Sequence, residues 1–545
     1  MPGLHIDEVG GELVNQQITE LNGKVIALEN KPEFDQDNKN KIYDVYEGYL
    51  NSLDEVGISD YLNSLEFPIN TGEKENLYLN IISEEKFRPF ITEWNVQAND
   101  VVALPVESDT SNPDHDFLVD WGDGTRQRVT SNDFTNATHQ YNETGTYQIK
   151  ISGICEYFMM SDTEQLMRDK VTKVIQWGDV AFRDISFKSC GNLIQLAFDI
   201  PNFTMADNLY GCFMSTGITS VPPKLFARAE NVTNFTATFM FTIIPQVPYG
   251  LFDNAISSER FSSTFYGCGL NAIPEGFFDN CLKVTTFYGC FNYDNLVIIP
   301  EGLFDNNTLV ENFYNTFNSN NLIAIPDGLF DNCPKVDNFF STFNQNNITV
   351  IPSGLFDKNT EVTTFGNTFS NNDLETIPEG LFDFNIKVES FSNVFFNNNI
   401  TDIPTDLFKN NKTVTDFRAA FFSNSIEIIP AGLFDTTVEV TTFRQVFEAN
   451  NITDIPNGLF KNTSKVTTFE STFLNNEIDS IPLNLFDKCQ SVDSFDKTFS
   501  GNATIKGAAP DLWNRIPEPM GTECFFNCLQ LSNYEQIPDS WKLIN

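Results

Sequence analysis

Apolar and polar positions in the C-terminal part of the chain repeat every 26 residues. Eleven prolines mark the period, from Pro222, Pro248 and Pro274 through to Pro482, with no insertion or deletion between them. Three residues past each proline stands Leu (Phe277 once), and four past stands Phe. Phe recurs at +13 and +17, with Val at +10 in nearly every copy. A fixed period of this length marks a solenoid, in which each unit covers its apolar face with its neighbours. Within one unit, for example residues 478–487, the β-branched run before proline predicts a short strand, because proline keeps the preceding residue out of the helical region. Residues at +10, +13 and +17, such as Val466, Phe469 and Phe473, would share one face of a helix. Each repeat is therefore expected to be a strand, a turn, a helix and a return. At ~4.8 Å per coil the array would be about 50–55 Å long.

Polar columns run through the same register. Asn holds +20 from Asn320 to Asn502, and Cys268 holds that place earlier. A buried amide there can satisfy backbone groups of adjacent coils. Thr at +16 (Thr316, Thr342, Thr368) is expected to do similar work. Asp at +5 (Asp253, Asp279, Asp305, Asp331, Asp357, Asp383, Asp435, Asp487) reads as a turn or capping residue. Lys409 and Lys461 interrupt that column, which argues against a cation ladder.

Other patterns precede the array. Val14, Ile18, Leu21, Val25 and Leu28 alternate spacings of four and three, an a/d heptad seam that predicts an oligomerisation stem over 1–31. The competing reading is an amphipathic helix packed on its own chain. Residues 32–90 are mixed and read as a small anchoring or linker domain. Residues 91–153 carry short β-rich runs (VVALPV, FLVDW, TYQIKISG) between polar turns, as in a β-sandwich. Residues 154–221 hold an irregular version of the repeat and read as an N-terminal cap. The regular array spans 222–507. Residues 508–545, where Pro510 and Pro538 arrive at spacings of 28, read as a closing cap built on Trp513, Phe525, Phe526 and Trp541.

Two resemblances follow from these residues. Trp121-Gly122-Asp123-Gly124-Thr125, with His139, Tyr141, Gly145, Thr146 and Tyr147, resembles the polycystic-kidney-disease (PKD) type of immunoglobulin-like domain, which implies a spacer or an adhesion unit. The pattern VTTFxxTFxxNxIxxIPxGLFD resembles BspA-like leucine-rich-repeat surface proteins, with Phe in place of Leu and Met. That resemblance implies adhesion or recognition without catalysis, on bacterial surfaces or in bacteriophage virions.

Composition narrows the function. Lys+Arg is 33 against Asp+Glu 74, a net charge of −41. Such a chain repels phosphate backbones and anionic membranes. No basic, apolar start marks a secretory signal, and no run approaches a membrane span. Ten cysteines, several at equivalent repeat positions, suit buried thiols in a reducing compartment. Cys524 and Cys528 lack the partners of a zinc site. His115, Asp120, Asp123 and His139 gather near one turn, where a structural role outweighs acid–base chemistry. No cofactor or metal is expected. At +14, Tyr288, Tyr314 and Phe340 make an aromatic row, followed in the same column by Arg418 and Arg444. The row is either a ligand surface or a flank of the core stripe.

The leading expectation is a non-enzymatic bacteriophage head or tail fibre, assembled in the host cytoplasm. The heptad stem would join capsid or tail proteins as a homo-oligomer, a trimer favoured over a dimer. The solenoid would face a host protein or glycan. The alternatives are a bacterial cell-surface adhesin and, last, a glycan-cleaving spike.

Overall fold

The computed structural model describes residues 88–106, 115–129 and 137–543. The heptad residues Val14, Ile18, Leu21, Val25 and Leu28, and the mixed segment before residue 88, lie outside the described residues.

The first unit is all-β. Its main sheet contains β1 (Phe90–Val96), β3 (His115–Asp120), β4 (Arg126–Val129), β6 (Gly145–Cys155) and β8 (Val171–Gln176), in the order β4-β3-β6-β1-β8. β2 (Val101–Ala103) and β5 (Thr138–Gln140) form a second, two-stranded sheet. Alternation along β1 and β3 buries Phe90, Trp94, Phe117 and Val119 while their neighbours face outward. In β6, Ile149 and Ile151 are buried and Tyr147 is half-buried.

This sheet does not end at residue 153. β6 continues to Cys155, and β8, from the segment expected to be a solenoid cap, pairs antiparallel with β1. β8 also bridges in parallel to the next coil through Lys173 and Gln195. β7 (Tyr157–Met159) pairs in parallel with β9 (Asp184–Ser186). Gly178 lies where the lead-in to β1 crosses the cap, and a Cβ there would sit 2.3 Å from the Arg88 carbonyl oxygen. One continuous apolar core therefore runs from Phe90 through the array to Trp541.

The repeats depart from the expected α/β pattern. Among the described residues, the helices are α1 (Gln165–Arg168), α2 (Asp539–Lys542) and two short 3-10 turns, all outside the array. In the segment predicted helical, left-handed residues recur at +15 and +19, as at Asn315 and Ser319 (both φ 56°) or Asn367 and Asn371 (54° and 56°). A helix cannot contain such residues. Instead alternate N–H groups close turns within the coil (Thr316 to Phe313 O, 3.0 Å). The others donate to the next coil (Phe317 to Thr342 O, 3.0 Å; Ser319 to Asn344 O, 2.8 Å). Parallel bridges at +12 run from Asn208 to Met520 and tie the coils into a ladder, with a second set at +24 from Asp402 to Lys506.

Each coil buries three phenylalanines in three continuous columns. Phe304 and Phe330 stack at 6.3 Å, Phe313 and Phe339 at 5.9 Å, and Phe317 and Phe343 at 5.8 Å, with planes within 10°. Three polar columns, each three residues past a Phe column, tie the coils together. At +7 Asn307 Nδ2 donates to Phe278 O (3.2 Å), at +16 Thr316 Oγ1 to Phe287 O (3.0 Å), and at +20 Asn320 Nδ2 to Phe291 O (2.7 Å). The +20 amide does more. Its oxygen accepts from the preceding coil, as when Leu296 N–H donates to Asn320 Oδ1 at 3.0 Å, and this pairing repeats up to Ile478 and Asn502. The +7 amide oxygens of Asn307, Asn359, Asn385 and Asn411 have no such partner. That explains why +7 tolerates Cys281, Cys333 and Thr437 whereas +20 keeps asparagine from Asn320 onward: there the side chain both donates and accepts.

Candidate functional site

The +14 residues face outward. In the turn ladder +13 points into the core, so +14 points away. Tyr288 is 42% exposed, and Tyr314 and Phe340 are half-exposed, so the row is a surface feature and not a flank of the core. Tyr288 and Tyr314 stack at 4.9 Å, and Tyr314 and Phe340 at 5.1 Å, both with 9° between planes. The far face of Phe340 lies over Gly366, where a Cβ would come within 2.7 Å of the ring. The stack thus uses its inner faces on itself. In the coil before Tyr288 the +14 residue is the small Ser262. Arg418 and Arg444 lie further along the column, beyond Gly366 and Ser392. Arg418 approaches Asp416 (3.6 Å) and Arg444 pairs with Glu470 (3.1 Å). The structure therefore unites the three aromatics and leaves the two arginines apart from them.

Beside the stack lies a second group that the sequence reasoning did not single out. Phe241 packs edge-on against Tyr266 (5.2 Å), which tilts against Tyr293 (5.5 Å). Burial, with Tyr293 and Tyr288 nearby, raises the Tyr266 phenol above its ordinary range. Phe241 and Tyr293 are 50% and 55% exposed, and both adopt left-handed backbone (φ 59° and 61°). In other coils Gly, Ser, Asn, Gln or Ala holds that place. A left-handed side-chain-bearing residue costs roughly 1–2 kcal/mol, and bulky residues are rarely found there.

An amide ribbon runs alongside. Asn318 Nδ2 donates to Asn292 Oδ1 (2.8 Å), Asn344 to Asn318 (2.7 Å), Asn371 to Asn344 (3.1 Å) and Asn397 to Asn371 (3.1 Å). Ser319 adds a bond to Gln345 (2.6 Å). Across the first seven coils, from Thr236 to Asn397, the +14, +15, +18 and +19 positions contain no Asp, Glu, Lys or Arg. Charge returns in the eighth coil with Arg418 and continues with Arg444, Glu448, Glu470, Asp496 and Lys497. In a chain of net charge −41, that gap was the legible signal. It is found by asking which positions avoid charge, not which residues could do chemistry.

The other sequence candidates are structural ties. Asp123 Oδ1 accepts the Thr125 N–H (2.9 Å), and Oδ2 pairs with His139 Nε2 (2.8 Å); His139 stacks on buried Trp121 (5.1 Å). Asp120 accepts the Gly122 N–H (3.0 Å) and pairs with Arg126 (3.1 Å). His115 sits at the opposite end of β3, with Nε2 2.9 Å from Val106 O. The +5 aspartates close turns onto the +2 residue, glycine in every case but Asp487, as Asp331 N–H does to Gly328 O (2.9 Å). Lys409 and Lys461 pair with Asp383 (3.0 Å) and Asp435 (2.7 Å). Among the described residues no cluster of three or more potential metal ligands occurs, and no helix is long and apolar enough to cross a membrane.

The turn ladders, phenylalanine columns and asparagine column define a leucine-rich-repeat solenoid. Residues 271–415 and 415–509 match the BspA type leucine rich repeat region, in six copies. Similar solved structures include a chain of the Toll–Spatzle complex from Drosophila. It is 17% identical, with a TM-score of 0.39, covering 60% of this chain and 43% of that one. Another is the ectodomain of the receptor kinase GASSHO1/SCHENGEN3 from Arabidopsis thaliana, with 15% identity, a TM-score of 0.36 and 62% and 34% coverage. A third is the LRIM1/APL1C complex, with 16% identity, a TM-score of 0.36 and 63% and 57% coverage. This chain spans less than two thirds of each. The search of curated proteins found no match.

Proposed function

We propose that this protein is a non-enzymatic adhesive scaffold that captures a surface ligand on the first seven coils of its solenoid. The observation that carries the reading is the charge-free face, lined by stacked aromatics and paired amides, on a strongly acidic chain. Exposed aromatics held on a rigid ladder make good anchors, because little side-chain freedom is lost on binding. The test is adherence of the labelled chain to intact bacterial cells. Tyr314→Asp should lower adherence, and Lys387→Ala, an exposed change at +9 outside that face, should not. Equal adherence by both variants would refute the assignment of the face.

Within that class we favour a virion fibre on a bacteriophage head or tail, with the PKD-like sandwich as spacer and the heptad segment as stem. All ten cysteines are free and buried, which fits a chain that folds where thiols stay reduced. The match to the BspA type family favours the second reading, a bacterial cell-surface adhesin. Light scattering on the full chain and on a version lacking residues 1–31 separates them. A trimer or dimer that falls to monomer on truncation supports the fibre stem; a monomer in both cases supports the adhesin.

A further inference from the structure

We infer that the charge-free face binds a neutral polysaccharide, one without carboxylate or sulfate groups, lying along the solenoid axis. The inference rests on the adhesive reading and names its ligand. An anionic glycan would call for cations on this face, and a basic peptide for carboxylates. Seven coils supply neither, although acidic residues crowd the rest of the array. What they supply matches hydroxyl groups, which both donate and accept. Asn318 and Asn344 each spend one N–H and one oxygen lone pair on their neighbours, so one N–H and one lone pair are left over; Asn371 donates to both Asn344 and Ser370 and keeps a lone pair. Tyr266, Tyr288, Tyr293 and Tyr314 add four phenol hydroxyls. The strand-like repeat of ~4.8 Å presents these groups at even intervals, so successive units of an extended sugar chain meet equivalent partners.

The aromatics divide the work. The inner faces within the Tyr288–Tyr314–Phe340 stack are spent, and Phe340 is closed off by Gly366. Sugar stacking therefore belongs at the open end, on Tyr288 and the neighbouring Tyr266 and Tyr293, while the amides hold the rest of the chain. The strained placement of Phe241 and Tyr293 supports this. Each ring stays about half exposed in a left-handed position that glycine fills one coil away at Gly267 (φ 67°), and such strain gathers at functional sites.

The experiment is affinity electrophoresis of the full chain in gels containing dextran, mannan, laminarin, xyloglucan or galactan, with alginate and hyaluronan as anionic counterparts. Retention by at least one neutral polymer is expected, with little change between low and high salt because no ion pairs form. Tyr288→Ala and Asn344→Ala should each weaken it by about tenfold, with an unchanged circular dichroism spectrum. No retention by any neutral polymer, retention by anionic polymers alone, or retention indifferent to both substitutions would overturn the inference. Treated cells tell its failure from that of the adhesive reading. Adherence that survives periodate but not protease leaves an adhesin with a protein ligand and removes the polysaccharide. Adherence to no cell and no polymer removes both.

Discussion

The Leu270 N–H donates to Asp294 Oδ1 at 3.0 Å, the bond that Leu296 makes one coil later to the amide oxygen of Asn320. Asp294 is thus the one acidic residue in the +20 column from Thr242 to Asn502. Its second oxygen occupies the place of the amide nitrogen, which in later coils donates to backbone carbonyls, and it has no hydrogen-bond partner. Burial pushes its pKa up to about 8, partly countered by backbone hydrogen bonds from Leu270, Gly269 and Cys268.

Asp294 therefore makes stability depend on pH. Its folded-state value lies above the ordinary 3.8, so the native protein holds this proton more tightly than the unfolded chain. The contribution is fully present below about pH 4 and is lost as pH climbs towards 8. Asp294→Asn restores the column. It should raise the melting temperature at pH 8, by more than at pH 5, in thermal scans at both. An equal shift at the two values would mean that Asp294 is not protonated in the fold.

The two asparagine columns should respond differently to substitution. Asn372→Ala strands the Ile348 N–H and three carbonyls that its amide serves, and should cost ~2–4 kcal/mol in denaturant unfolding. Asn359→Thr at +7 places there a residue that Thr437 and Thr463 already supply in the same column. It should change stability by less than about 1 kcal/mol.

The cysteines should be silent until the fold opens. All ten are buried, and burial lifts the thiols of Cys190, Cys281, Cys333 and Cys528 to about 12 and that of Cys489 to about 11. Because the thiolate is the reactive form, Ellman's reagent should find essentially none in the native protein and all ten after denaturation. Reductant should leave the melting temperature unchanged.

Cutting the chain at residue 155 should not release a folded sandwich. The cut removes β8 from its pairing with β1, together with buried Val171, Val174 and Trp177; Trp177 stacks on Phe90 at 5.8 Å. The expected result for residues 88–155 is a poorly dispersed amide NMR spectrum. A well-dispersed one would show that the solenoid is not needed to complete the sheet.

Much of this architecture was legible from one period. The proline clock set the coil, the Phe columns set its core, and the +20 asparagine announced itself because few residues can both donate and accept inside a repeat. The helix was misread because spacings of three and four also arise when inward residues are separated by reverse turns. The correcting sign was present at +15 and +19, where Asn, Ser, Gly and Gln tolerate positive φ better than branched residues do. The join through β8 was hidden because a strand at the end of one unit carries the same alternation as a strand at the start of the next. The aromatic row at +14 was legible as residues, but its direction was not, since a helix and a turn ladder send that position to different places.

The asparagine column also gives the array a sense of time. Each +20 oxygen reaches back 24 residues to an N–H of the coil before it, so a coil is unfinished until its successor arrives. A chain emerging from the ribosome always trails one orphan donor. Beyond the regular array the Ala509 N–H meets Asn533 Oδ1 at 2.8 Å, the same backward reach of 24 residues. The backward reach thus continues past the last regular coil, and an array released before residue 533 would carry the Ala509 N–H as the mark of its own incompleteness.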